Sequence, residues 1–269
     1  MQRPELIATD LDNTLLRTDK TVSDVTREVI ARTVAAGVPV VPATARQLKS
    51  ARVIAAHAGI SGPVICSNGA LGVDLRTGDV LFTQPLEAAT VRDIAETVRA
   101  ANSQVLFACV GPVGEWFRAE PDYVEIAEYT DHHRRMDEMK IVDLDGIMAE
   151  DCSKLVLRHP GMGAQSLFEL VESLDLPECQ ITTSGAPFIE VTGPGVTKAS
   201  GLALLCERLG VERDRVWAFG DAANDVDMLM WAGVGYAMAN AVPEAHAVAD
   251  RTARSCDRDG VAEVLAEIF

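Results

Sequence analysis

The sequence predicts an α/β protein: a doubly wound, Rossmann-like parallel sheet interrupted by an inserted α+β cap domain. Three observations carry this prediction. Short apolar runs alternate with amphipathic stretches toward both ends of the chain. Those runs lack the period-two alternation of a half-exposed strand, as expected where a sheet is covered on both faces. Between about Leu86 and Phe188 the texture changes to alternating strands that pair as hairpins around two helices.

Taken in order, the core strands are Leu6–Thr9, Val38–Ala43, Pro63–Cys66, Val216–Phe219 and Val234–Met238, each closed by a polar or glycine-bearing turn. Val22–Ala36 reads as a helix ending at Gly37, and Lys198–Leu209 as one ending at Gly210, with glycine as the C-cap. In the insert, Ala88–Ala101 and Ala164–Leu174 read as helices. Gln104–Cys109, Lys154–Arg158 and Gln180–Thr183 read as strands. Residues 120–150, with Tyr123, Tyr129 and the basic run His132–Arg135, show no clear period and receive no assignment. The expected domains are residues 1–85 with 189–269 as the catalytic core, and 86–188 as the cap. Short crossings near Leu81–Leu86 and Ile189–Gly195 would join them, the way a hinged lid is attached.

A chain of 269 residues can bury one large core or two smaller ones. Its net charge of −16, from 24 basic and 40 acidic residues, repels polyanions, so nucleic acid is not an expected partner. An anionic small molecule would have to be met locally by a cation or by oriented N–H groups. No apolar run approaches the ~20 residues that cross a bilayer. The opening Met1-Gln2-Arg3-Pro4-Glu5 lacks a basic n-region and a cleavage site, so the expected location is cytoplasmic. The six cysteines show no CxxC spacing and read as reduced, mostly buried thiols.

Four polar clusters fall at or near the carboxyl ends of predicted core strands, where open α/β sheets bind ligands. The first is Asp10-Leu11-Asp12-Asn13-Thr14. Two carboxylates at a strand end repel unless a cation lies between them or one keeps a proton, and either arrangement serves phosphoryl transfer. As a bare tripeptide, Asp-x-Asp is more often an acidic turn capping a helix. The second cluster is Pro42-Ala43-Thr44-Ala45-Arg46, whose threonine hydroxyl and backbone N–H groups suit a phosphoryl oxygen, although a lone threonine there is usually an N-cap. The third is Lys198 after Gly193-Pro194-Gly195-Val196-Thr197; by itself a solvated helix lysine, it can equally reach a phosphate as a point charge. The fourth is Gly220-Asp221-Ala222-Ala223-Asn224-Asp225. Asp221 and Asn224 make a respectable helix cap, yet three oxygen-bearing side chains in five residues suit a hard cation such as Mg2+.

Together these residues resemble the haloacid dehalogenase-like hydrolases, in particular the Cof-like (type IIB, C2 cap) phosphatases, whose cap lies between the second and third motifs. Asp10-Leu11-Asp12-Asn13-Thr14-Leu15 is similar to the DxDxT motif, Thr44 to the second, Lys198 to the third, and Gly220–Asp225 to the GDxxND fourth. Asn68-Gly69-Ala70 and Ala239-Asn240-Ala241 resemble turns of that branch. The resemblance implies a Mg2+-dependent phosphatase acting on a small metabolite, a sugar phosphate or a phosphorylated cofactor precursor, through an aspartyl phosphate. It implies Asp10 as nucleophile and Asp12 as acid and base. Metal contacts would come from Asp10, Asp221 and the Asp12 carbonyl, and phosphate contacts from Leu11, Thr44, Ala45, Lys198 and Asn224, with Asp225 and Thr14 orienting the site from behind. The cap would close over this site and choose the leaving group; His132–Arg135, Arg118 and Arg158 are the candidates for reading a second anionic group, a solvated surface role being their ordinary alternative.

Ala45, Asn13 and Ala239 stand where the branch usually has glycine. Alanine tolerates positive φ poorly, so the backbone at Ala45 is expected to differ. A phosphomutase of the same superfamily remains open from the sequence, as does a sugar-phosphate sensor without turnover, though a sensor has no need of both Asp10 and Asp12. A signalling receiver domain also clusters acids, a threonine and a lysine, but is shorter and has no cap.

Overall fold

In a computed structural model that describes residues 3–269, the first strand, Leu6–Thr9, buries both of its faces. Leu6 and Ala8 join one apolar cluster and Ile7 the other. The next strand in the sheet does the same: Val216 and Ala218 go one way, Trp217 and Phe219 the other. This two-sided burial is why the runs carry no alternation. Five strands form a parallel sheet in the order Arg251–Ala253, Val234–Met238, Val216–Gly220, Leu6–Thr9, Val40–Pro42.

Helices Asp24–Ala35 and Gly260–Ala266 cover one face through Val29, Ile30, Val261 and Leu265. Helices Lys198–Leu209, Val226–Trp231 and Pro243–Val248 cover the other through Leu202, Leu205, Met228, Leu229 and Ala245. Each of these side chains except Ala245, when fully buried, contributes roughly 1.5–3 kcal/mol. The architecture is therefore doubly wound, with crossover helices on both faces.

Pro63–Cys66 departs from the expected parallel pairing. It meets the core sheet through one parallel bridge, Ala43 to Ile65, and otherwise pairs antiparallel with Leu71–Asp74, in a three-stranded sheet completed by Val80–Thr83. The reversal is made by Ser67, Asn68 and Gly69, all at positive φ. Gly69 cannot be replaced in place: a Cβ there would sit 2.0 Å from the Thr197 carbonyl oxygen. The turn therefore lies backbone against backbone on the start of helix Lys198–Leu209, with Gly201 opposite, whose own Cβ would come within 2.8 Å of Gly69 Cα.

The chain forms two compact units, Met1–Phe82 with Thr197–Phe269, and Thr83–Val196. The second is an α+β unit around a six-stranded sheet in the order Gln180–Thr182, Ile189–Thr192, Lys154–Arg158, Leu106–Val110, Phe117–Ala119, Lys140–Ile141. Helices Ala88–Ala101 and Ala164–Glu172 pack on one face. The strand Ile189–Thr192, which the sequence places on the core side, pairs antiparallel with Lys154–Arg158 inside this unit. Within that pairing Glu190 is buried against Lys154. Residues 120–150 contain three helices of four to six residues, Pro121–Ile126, Tyr129–His132 and Leu144–Ile147.

The remaining elements differ from expectation only at their ends. Helix Val22–Ala36 begins at Asp24 because the Ser23 side chain accepts from the Thr26 N–H and caps it. Gly37 and Gly210 both take positive φ at helix ends. All six cysteines are free, five of them buried. No helix among the described residues is long and apolar enough to cross a membrane.

Candidate active site

Asp10 is the last residue to follow the first strand: its N–H donates to the Phe219 carbonyl at 2.9 Å, continuing the parallel register. The chain then leaves the sheet through a wide helical turn, Leu11–Leu15, with Asn13 at φ 56. Asparagine is among the few non-glycine residues at ease there, which explains how it replaces the usual glycine. Leu11, Leu15 and Leu16 are driven into the apolar cluster below and anchor the turn. With its side chain wholly buried, Leu11 has only backbone to offer a ligand.

Lys198 opens its helix directly after Thr197, whose side chain caps the helix by accepting from the Ser200 N–H. The lysine is 1% exposed, and its Nζ donates to Asp10 Oδ1 and Asp225 Oδ1, each at 2.7 Å. Burial works against its charge, but the two carboxylates outweigh it and push its pKa up. Asp10 is raised well above the usual carboxylate range, chiefly by burial, with Lys198 pulling it down and Asp225, Asp12 and Asp221 adding to the rise.

The fourth cluster leaves Val216–Gly220. Asp225 Oδ2 accepts from the N–H groups of both Asp221 and Ala222 at 3.0 Å, folding the loop back on itself. Gly220 makes room for this: a Cβ there would come within 2.5 Å of Asp225 Cβ. Thr14 Oγ1 donates to Asp221 Oδ1 at 2.7 Å. Burial raises Asp221 to about 6, the Thr14 hydrogen bond opposing and Asp225 adding to it.

Asp10, Asp221 and Asp225 each bring one carboxylate oxygen to a common point, all within 4.8 Å of one another. With all three carboxylates ionised, one ammonium would leave the cluster two charges short of neutral, and the donors are all hard oxygens. Both properties fit a divalent cation such as Mg2+. Asp225, expected to act from behind, thus supplies a member of the cluster itself. The Asp12 carboxylate is not among the three. It is held by Arg46, Nε to Oδ2 at 2.6 Å and Nη2 to Oδ1 at 2.7 Å, and by Lys20 at 3.1 Å. Burial would raise its pKa, but the hydrogen bonds and charges of Arg46 and Lys20 prevail and hold it at about 2.

Thr44 is buried in the adjoining loop; its N–H donates to Ile65 and its Oγ1 accepts from the Arg46 N–H at 3.1 Å. Ala45 is not at positive φ, so alanine stands there without strain, and neither is Ala239. Asn224 Nδ2 donates to Asn68 Oδ1 at 3.0 Å, while Asn224 Oδ1 is buried with no hydrogen-bond partner among the described residues. Asn240 ties two loops together by donating to the Asn13 carbonyl and accepting from the Cys256 N–H. Of all these contacts, Arg46 and Asn68 are the ones the sequence underrated: both stood inside quoted motifs, but nothing in their spacing tied them to Asp12 or Asn224.

The candidates for an anion in the inserted unit are mostly engaged there. His132 is buried between Phe117 and Phe188, ring centroids at 4.7 and 4.8 Å, and shares a hydrogen bond with Tyr123. Burial, helped by Lys154, Arg158 and Arg134, drops its pKa to about 3, so the imidazole is neutral. Arg118 pairs with Glu150 over the Trp116 ring, and Arg158 with Asp131. Arg135 is exposed beside Asp137. The expected solvated role therefore fails for His132 and Arg118, which the sheet and its aromatic residues enclose.

The family model for haloacid dehalogenase-like hydrolases matches residues 7–265. The chain belongs to that family. Among haloacid dehalogenase-like relatives, the 5-amino-6-(5-phospho-D-ribitylamino)uracil phosphatase YitU of Bacillus subtilis is 29% identical over 273 residues, covering 99% of this chain and 98% of the relative. An HMP-PP phosphatase of Yersinia pseudotuberculosis is 29% identical over 268 residues, covering 97% and 93%. Among solved structures, the phosphatase BT1666 of Bacteroides thetaiotaomicron superposes with a TM-score of 0.80 at 25% identity, over 98% of this chain and 95% of that one. The subclass IIB sugar phosphatase BT4131 gives 0.83 at 20% identity, over 98% of both chains, and speaks for the fold.

Proposed function

We propose that this chain is a Mg2+-dependent phosphoric monoester hydrolase that takes phosphate from a small metabolite through an aspartyl phosphate on Asp10. The observation that carries the reading is the buried ammonium of Lys198 set between Asp10 and Asp225, with Asp221 beside them, three carboxylates against one cation. Bound among Asp10, Asp221 and Asp225, Mg2+ would supply the positive charge that lets an anionic phosphate approach a carboxylate.

Asp10 attacks phosphorus in line; the new bond joins its oxygen to phosphorus, and the bond from phosphorus to the ester oxygen breaks. Lys198 favours the ionised form of Asp10 against its burial and holds it pointed. In this cycle Asp12 enters protonated, against the pull of Arg46 and Lys20 that favours its ionised form; the departing alkoxide takes that proton, and Asp12 then removes one from the water that attacks the aspartyl phosphate. Inorganic phosphate leaves and both carboxylates return to their starting state. Thr44, Ala45, Asn224 and the Leu11 N–H bind the phosphoryl oxygens where transition-state charge gathers. Thr14 orients Asp221.

The unit Thr83–Val196 is the cap in this reading, and it selects the leaving group. The named relatives act on a phosphoribitylaminouracil and on HMP-PP, which supports a phosphorylated cofactor precursor as the substrate class. A panel of phosphorylated metabolites, assayed for phosphate release with Mg2+ and with chelator, tests the reading. Turnover should require the metal, and Asp10 should carry a phosphoryl group in acid-quenched protein by mass spectrometry. Activity without divalent metal, or a phosphoryl group on another residue, overturns it.

A further inference from the structure

The turn Ser67–Gly69 touches three of the four polar clusters. The Ser67 N–H donates to the Arg46 carbonyl at 3.0 Å and the Asn68 N–H to the Thr44 carbonyl at 3.1 Å. Gly69 lies against the Thr197 carbonyl, one residue before Lys198. Asn68, 1% exposed, reaches the last cluster with its side chain: Oδ1 accepts from Asn224 Nδ2 at 3.0 Å, across 156 positions of sequence. All of these residues lie in the unit Met1–Phe82 with Thr197–Phe269.

Asn68 is the fixed member of the pair. Its backbone is pinned on one side by Thr44 and on the other by the close approach of Gly69 to Thr197. It holds φ 55, which asparagine tolerates better than most residues. Asn224 is only half-buried, in the short helical turn Ala223–Asp225. Rotation about the last bond of an asparagine side chain is broad and roughly two-fold, so packing chooses poorly between the oxygen and nitrogen ends of the amide. A hydrogen bond has to choose. The acceptor on Asn68 selects the NH2 end of Asn224 and leaves that group a second N–H to give. Asn224 Oδ1 is out of solvent's reach, so the nitrogen is the end left to meet an anion.

We propose that Asn68 is a positioning residue that locks the Asn224 amide with its N–H toward the transferring phosphoryl group. This role rests on the reading of Asn224 as a phosphate contact. Released from Asn68, the amide divides its time between two orientations, and in one of them a carbonyl oxygen replaces the donor that the anion needs. The loss falls on the transition state, where charge gathers on the phosphoryl oxygens, and it vanishes when the Asn224 amide is already gone.

The test is a double-mutant cycle of Asn68→Gly and Asn224→Ala, with kcat and KM measured on the best substrate of the metabolite panel at saturating Mg2+. Glycine keeps the left-handed backbone and deletes the amide. Asn224→Ala should lower kcat about 100-fold and Asn68→Gly about 10-fold. Asn68→Gly added to Asn224→Ala should cost under about 2-fold more. Mg2+ affinity, read by calorimetry, should stay within about 2-fold in Asn68→Gly, because the acids are untouched. Thermal melts identify a variant that fails to fold; Asn68→Ser then carries the cycle, since Ser67 beside it already holds φ 51. Losses that multiply in full in the double variant overturn the role of Asn68 and leave the function standing. So does a fall in Mg2+ affinity that matches the fall in kcat, which would make the turn a support for Asp221 and Asp225. Unchanged kcat and KM in Asn224→Ala removes the phosphate contact and the role of Asn68 with it, while the phosphoryl group on Asp10 judges the wider reading separately.

Discussion

Two buried lysines, one in each unit, meet carboxylates in opposite ways. In the inserted unit Lys154 pairs with Glu190 across neighbouring antiparallel strands, their side chains 3% and 2% exposed. Glu190 faces Val156 in register, so Lys154, two residues along, projects from the same face. There an anion lies directly against the cation across the strands. In the core, Lys198 meets Asp10 and Asp225 together, with Asp221 in reach. Burial alone therefore does not mark a reacting group. The imbalance does: taking charge out of water is so costly that an uncompensated excess persists only where something else comes to offset it.

The widest test of that contrast is Asp10→Asn, which should lower phosphate release by roughly 10⁴-fold or more while leaving the circular dichroism spectrum unchanged. Retention of about a hundredth of the activity would take the core cluster out of the chemistry. Next come Lys198→Met and Lys154→Met side by side, since removing one member of a buried pair costs about 3–5 kcal/mol by stranding the other. Melting curves should show Mg2+ restoring part of the stability lost in the Lys198 variant, because a cation can take the place of the ammonium, and restoring none in the Lys154 variant. Equal responses would erase the distinction.

A smaller effect is expected for Thr14→Val, which removes the hydroxyl that holds Asp221 at 2.7 Å. Calorimetric titration should find Mg2+ bound about 10-fold more weakly. The smallest is a pH effect. Burial, against the opposing Thr14 hydrogen bond, lifts Asp221 from 3.8 to about 6. An acid whose pKa is raised by folding is protonated more readily folded than unfolded. The Mg2+-free protein should therefore gain stability from this group as pH falls toward 3.8, and lose it as pH rises through about 6. Mg2+ competes for the same oxygen, so its stabilising shift in melting temperature should be full above that pH and fade below it. Asp12 runs the other way: burial opposes its ionised form, but Arg46 and Lys20 hold it at about 2, and it yields its stabilisation only as pH falls to that value.

The core strands were legible because an uninterrupted run such as Leu6–Thr9 has no other stable use than a sheet covered twice. The polar residues at their ends were legible because carboxylates and a lysine seldom cluster in that order by accident. Pro63–Cys66 was misread in its pairing, since burial on both faces does not tell parallel from antiparallel; the left-handed run at Ser67–Gly69 decides that. Residues 120–150 stayed opaque because helices of four to six residues are too short to show an apolar stripe. Arg46 and Asp12 lie 34 residues apart, and their contact depends on two loops meeting beyond the sheet, which no local period encodes.

The glycine pair at 69 and 201 has a consequence for anyone who would redesign this protein. Because the Asn68 turn and the first turn of the Lys198 helix touch main chain to main chain, no compressible side chain separates them. Transplanting one of these segments onto another scaffold without the other would leave a gap or a collision beside the ammonium, so the two must be moved as a single rigid block.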